Sequence, residues 1–223
     1  MMAGQFGAFG KIPALGDFLR LNVTAGFVQP WDEWMQAGML GSREALQESW
    51  DDAYLSAPIW RFTLPRGVSG SSGMIGIVMA SVDRVGRQYP LTIAAPVEVA
   101  NIALCHFANT AVFEQLEQIA LDMLDDHSTR DMLTSALALV NPMPAISSEP
   151  AGLPYAGLFP IEHVLAGQAL AARVGGTDVI WSTAMDQDNR LMLTRGLPEG
   201  REMRALFDLH SPVWGNEDMA ALI

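Results

Sequence analysis

Apolar and polar positions follow one another along the chain with a period that switches between strand-like and helix-like. Residues 5–12, "QFGAFGKI", predict a short strand whose glycines serve close packing or unusual backbone angles. The following "PALGDFLRLNVTAGFVQ" predicts a loop, with Pro13 and Gly16 as breakers. From Pro30 the period becomes helical. Trp31, Trp34, Met35, Met39, Leu46 and Trp50 form an apolar stripe, and Asp32 and Glu33 suit the positive end of the helix dipole. Gly38 and Gly41 predict a bend or a division into two helices. Three strands are then expected, at "IWRFTL", "MIGIVMASVD" and "LTIAAPV", the middle one apolar enough for the interior of a sheet.

A long helix is predicted from Ile102 to about His127, with Val112, Leu116, Ile119, Ala120, Met123 and Leu124 on its apolar face. A second follows at "TRDMLTSALALV", with Ser128 as its expected cap. The proline-rich stretch 141–160 predicts a long internal connection packed across the surface. Beyond it the pattern gives a helix at 161–173, then strands "DVIWST" and "RLMLTR" joined as a hairpin through the "DQDN" turn. A short helix follows near Glu199–Leu209. Strands at the start, middle and end with helices between them predict an α/β fold, a layered α-β-α sandwich with helices on a mixed sheet. Residues 1–223 are expected to form one domain.

Composition narrows the function classes. Half the residues are hydrophobic and 17% are charged, enough apolar surface to support a core. A formal charge of −12 repels phosphate backbones and anionic lipids, which argues against nucleic acid and membrane surfaces as partners and suits a basic protein surface. The single cysteine, Cys105, excludes an intramolecular disulfide and a cysteine-built zinc site. The N-terminus lacks a signal-peptide pattern and no apolar run is long enough to span a bilayer, so a soluble cytoplasmic protein is expected.

Familiar catalytic motifs fail on spacing. Gly10–Lys11 suggests a phosphate loop, but five residues separate it from Gly4 where four are needed. Ile12 stands where Ser or Thr would hold magnesium, and Pro13 lacks a backbone N–H. Gly4, Gly7 and Gly10 do not follow the dinucleotide spacing. No serine in "GVSGSSGMIG" sits in a G-x-S-x-G elbow, and His106, His127, His163 and His210 form no local ligand pair. Asp186, Asp188 and Asn189 lack the glycine and glutamate of a calcium loop. No cofactor and no metal are therefore expected.

The segment "VDRVGRQYP" stands out, because Asp83, Arg84 and Arg87 crowd the end of an apolar strand. Arginine's planar fork suits carboxylates and other acceptors. Two arrangements satisfy these residues: a partner- or anion-binding patch, or an internal ion-pair network with Asp17 or Asp83 as acceptor. Lys11 and Asp17 are open in the same way, as an internal polar pair or as part of a contact surface.

Four long segments, "GAFGKIPALGDFLR", "FVQPWDEWM", "SWDDAYLSAPIWRFTL" and "GIVMASVDRVGRQYPLTIAAP", occur in an order that resembles the type VI secretion-associated TagF family. The likeness is dense over residues 6–97, weak from about 100 to 175, and returns at "VIWSTA" and "RLMLTRGLP". The matching positions include Gly10, Lys11, Pro13, Gly16, Asp17, Phe18, Trp31, Trp60, Asp83, Arg84 and Arg87. The resemblance implies a non-enzymatic accessory protein, a post-translational repressor that acts through a forkhead-associated scaffold protein. Some relatives carry a fused phosphatase domain, for which this chain is expected to have no room. It implies no catalytic residues. A reading from a different class is a small-ligand or nucleotide sensor built on Lys11, Arg84 and Arg87.

Overall fold

The computed structural model describes residues 4–142, 166–167, 169–171, 173–185 and 188–215. Its centre is a seven-stranded sheet in the order β2-β1-β5-β4-β3-β6-β7. The strands are β1 (Gly7–Gly10), β2 (Leu19–Leu21), β3 (Trp60–Leu64), β4 (Gly73–Met79), β5 (Leu91–Val97), β6 (Asp178–Thr183) and β7 (Arg190–Arg195). Every pairing is antiparallel, so the sheet is not of mixed direction. The layered α/β architecture is as expected.

Helices cover both faces. On one lie α1 (Ala25–Leu46), α2 (Trp50–Leu55) and α6 (Gly200–Ala205); on the other lie α3 (Ile102–Ala108), α4 (Thr110–Asp122) and α5 (Arg130–Leu137). Period-2 alternation sends Ile75, Ile77, Leu91, Ile93 and Ala95 towards α4, where Phe113, Leu116 and Ala120 meet them. Phe62, Met74, Val78 and Trp181 point the other way, towards Trp31 and Met35 of α1. Burial on both faces explains why β4 and β5 read as nearly continuous apolar runs. The helical stripe is core, with Trp31, Met35 and Trp50 almost inaccessible to solvent.

Several local expectations need correction. Strand β2 lies inside the stretch expected to be loop; its three residues are too few for a periodic signal, and pairing with β1 makes them a strand. Helix α1 begins at Ala25, with Pro30 inside it rather than opening it. Burial of Phe27 and Val28 recruits the extra turn and offsets the hydrogen bond that proline cannot make. The helix expected over 102–127 is two. Asn109 sits outside helical geometry at φ −93° and ψ 14°, and its Nδ2 donates to the Cys105 carbonyl at 2.8 Å, ending α3 where α4 starts. The cap of α5 is Thr129, whose hydroxyl accepts from the Met132 amide, while Ser128 Oγ donates to the Met123 carbonyl. After Gly38 and Gly41 the chain continues to Leu46, then passes through a 3₁₀ turn (Gln47–Ser49) into α2. The proline-rich stretch from residue 143, most of the helix expected at 161–173 and two residues of the "DQDN" turn lie outside the described residues.

Candidate functional site: a clamped loop beside the sheet

Residues 80–90 leave β4 and return into β5, and they are tied down on three sides. A Val82–Gln88 bridge and the Tyr89 amide donating to the Ser81 carbonyl close the hairpin's neck. Gly86 takes the tight turn at φ +82°, a conformation that favours glycine. From α2, the Tyr54 hydroxyl donates to the Ser81 carbonyl at 2.7 Å and accepts from the Ser81 amide at 3.1 Å. Trp50 Nε1 donates to Gln88 Oε1, and Gln88 Nε2 donates to Asp51. From α1, Asp32 accepts from the Tyr89 hydroxyl at 2.6 Å. Burial raises the Tyr89 pKa above its ordinary value and the neighbouring Asp32 adds to the effect, so this bond persists across neutral pH.

The third side is the loop after β1, and here the expected charges meet. Asp83 is buried and accepts on both oxygens: Oδ1 from the Val85 and Arg87 amides, Oδ2 from the Arg87 guanidinium at 2.6 Å and from Lys11 Nζ at 3.1 Å. Burial pushes its carboxyl pKa up, but these donors outweigh burial and hold it well below the usual carboxylate range. Lys11 also donates to the Arg87 carbonyl and lies 5.2 Å over the Phe18 ring. Arg87 reaches across to the Gly16 carbonyl at 2.7 Å, and the Arg84 amide donates to the Leu15 carbonyl at 2.9 Å. Phe18 stacks on Phe9, and Tyr89 meets both rings edge-on, beside this seam.

Lys11, Asp83 and Arg87 thus come together as one network around a buried carboxylate, with Lys11 and Asp83 inside and the Arg87 guanidinium closing it from the surface, while Asp17 and Arg84 stand outside it. The Asp17 carboxylate is exposed and, among the described residues, accepts only from the amide of Phe18, its own neighbour. Arg84 is exposed, forms no ion pair among the described residues, and lays its guanidinium over Gly16. Beside it Val85 is 70% accessible and Phe18 is 44% accessible. A frame of buried and half-buried bonds therefore displays one unpaired arginine fork, one aliphatic side chain, one aromatic edge and one carboxylate. Sequence reasoning found the charges but missed Tyr54, Gln88 and Tyr89 as clamps and Val85 at the tip; the only signal was the density of polar residues after an apolar strand.

A second polar cluster lies on the opposite face. Arg61, the second residue of β3, makes a two-pronged pair with Glu117 of α4 at 2.6 and 2.7 Å. His106 bridges Thr63 Oγ1 and Ser182 Oγ, each at 2.8 Å. Burial pushes the His106 pKa down to about 3, and the charge of Arg61 acts in the same direction. Ser182 and His106 have the spacing of a nucleophile and its base, but so weakly basic a ring gives little activation at neutral pH. The cluster ties α3 to β3 and β6. Burial raises the Cys105 thiol pKa to about 12, which leaves it unreactive. No cluster of three or more metal-ligating side chains occurs among the described residues.

Residues 7–140 match the model of the TagF N-terminal domain, described as type VI secretion system-associated. The chain belongs to this TagF family. The match runs from β1 through α5 and contains the whole clamped loop. This TagF-family chain is also similar to the crystal structure of PA0076 from Pseudomonas aeruginosa PAO1. The two are 30% identical with a TM-score of 0.74, over 92% of this chain and 94% of that one. A search of curated proteins finds no match. The family places the chain with type VI secretion. The PA0076 likeness extends beyond the family match, which ends before β6 and β7. No helix among the described residues is long and apolar enough to cross a membrane.

Proposed function

We propose that this chain is a non-enzymatic cytoplasmic repressor of type VI secretion that acts after translation by binding a forkhead-associated scaffold protein. Family membership supports the secretion system as its setting. The observation that carries the binding reading is the loop at 80–90, where Asp83 holds Lys11 and Arg87 and stiffens the loop while Arg84 and Val85 face solvent without an ion-pair partner among the described residues. A preformed epitope loses little entropy when it docks, so a small patch can hold a partner well. Arg84 suits a carboxylate on that partner and Val85 an apolar recess. The net charge of −12 adds long-range attraction to a basic region of the same partner. A repressor of this kind needs only to prefer one state of the scaffold over its assembled state. The continuity of one sheet from residue 7 to residue 195 supports reading 1–223 as one domain.

The test is binding of the purified chain to the forkhead-associated protein of its own secretion system, followed by biolayer interferometry. Wild type is expected to bind saturably, with association slowing as salt rises. Arg84→Ala combined with Val85→Asp is expected to weaken affinity at least tenfold, about 1.4 kcal/mol, with Tm unchanged. Absence of binding by the wild type refutes the scaffold reading, and full affinity in the double variant moves the contact away from the loop.

A further inference from the structure

The two edges of the sheet are built differently. At one edge β2 is three residues long, and the Arg130 guanidinium donates to the Arg20 carbonyl at 2.9 Å, occupying an acceptor there. At the other, β7 runs for six residues, "RLMLTR", with no proline or glycine and with charged residues only at its two ends. No strand among the described residues lies beyond it. An edge strand that no described strand covers is a template for another strand.

The direction of its free groups follows from the ladder. The Gly196 amide donates to the Thr177 carbonyl, and hydrogen-bonded positions alternate along an antiparallel pair. Residues 194, 192 and 190 therefore turn their backbone groups towards β6, and Leu191, Leu193 and Arg195 turn theirs outward. Leu191 and Leu193 are also 43% and 42% accessible, on the sheet face they share with Ser182 and Ile180.

We propose that β7 pairs antiparallel with β7 of a second copy of this chain, about a two-fold axis through Met192. In that register Leu191 faces Leu193 of the other copy twice over, and both positions carry outward backbone groups. Arg195 falls opposite Asn189 and next to Asp188, so it joins the ion pair that Asp188 already makes with Arg190 of its own chain. The segment is its own complement, which a closed two-fold interface requires. It is also a place where two strongly acidic molecules can approach, because 188–195 holds two arginines and one aspartate. Apolar cross-strand pairs of this type stabilise antiparallel ladders. The proposal is independent of the scaffold reading.

Sedimentation velocity of the full chain between about 1 and 100 μM tests it, a range set by the weakness expected of so small an interface. Wild type is expected to shift from monomer to dimer with concentration. Leu193→Lys is expected to raise the dissociation constant at least tenfold with unchanged circular dichroism, and Leu193→Thr serves if the lysine variant does not fold. Register is read by mixing Leu191→Cys with Leu193→Cys under mild oxidation. Directly opposed residues lie about 5.5 Å apart at Cα, within disulfide reach, so the mixture is expected to cross-link and either variant alone to remain largely uncoupled. A wild type that stays monomeric, a dimer that survives both substitutions, or a mixture that fails to cross-link each overturns the proposal. The first of these would leave the edge for a strand from a different protein.

Discussion

Replacing Tyr54 by Phe isolates what holds the 80–90 loop in place. The ring is fully buried, and Phe fills the same space without a cavity, so the hydroxyl's two bonds to Ser81 are the whole difference. The two losses are unequal. The Ser81 carbonyl still accepts from the Tyr89 amide, so it forfeits one ordinary hydrogen bond, about 0.5–1.5 kcal/mol. The Ser81 amide loses the partner it has in the fold, and an orphaned buried donor costs about 1–3 kcal/mol. The expected loss is about 1.5–4.5 kcal/mol, or roughly 3–18 °C in Tm for a chain of this size. Urea unfolding followed by tryptophan fluorescence reads it well, because Trp50 lies 5.3 Å from the Tyr54 ring. The midpoint should fall with an unchanged slope. A loss under about 0.5 kcal/mol would refute the clamp, since that is the range of an ordinary surface substitution.

Two further outcomes follow from the buried charges. Asp83 has a folded pKa below its unfolded value, so its contribution is complete above the ordinary carboxylate pKa of about 3.9 and is lost as pH falls from there through the depressed value. Wild type should exceed Asp83→Asn in urea midpoint at pH 7, and the gap should narrow below about pH 4; a constant gap would show that the carboxylate's charge contributes nothing. On the opposite face, Glu117→Ala leaves the Arg61 guanidinium buried without its partner and should cost about 3–5 kcal/mol, whereas Arg61→Met with Glu117→Leu should be nearly neutral, both read by thermal unfolding. Equal losses in the two variants would contradict the view that an unpaired charge is what destabilises.

Most of the sheet was legible because its strands are short apolar runs bounded by turns, and burial on both faces leaves that pattern intact. "MIGIVMASVD" illustrates the limit: the strand stops at Met79, because Ser81 onward is claimed by Tyr54 and by the loop after β1. Helix α1 starts a turn early because Phe27 and Val28 find a core that lies far away in sequence. Asn109 divides a periodic stretch by a side-chain bond that periodicity does not register.

The charged site shows the same division. The residues alone named Lys11, Asp17, Asp83, Arg84 and Arg87, and left every one of them both an inward and an outward role. Composition, apolar periodicity and motif order determined the α/β class, the family and the absence of familiar catalytic motifs, because these properties are local or additive along the chain. Only the tertiary structure decided which charges face inward, since that depends on the first loop, α1, α2 and the β4–β5 connection meeting in space. One buried carboxylate then takes Lys11 and Arg87 and leaves Arg84 outside.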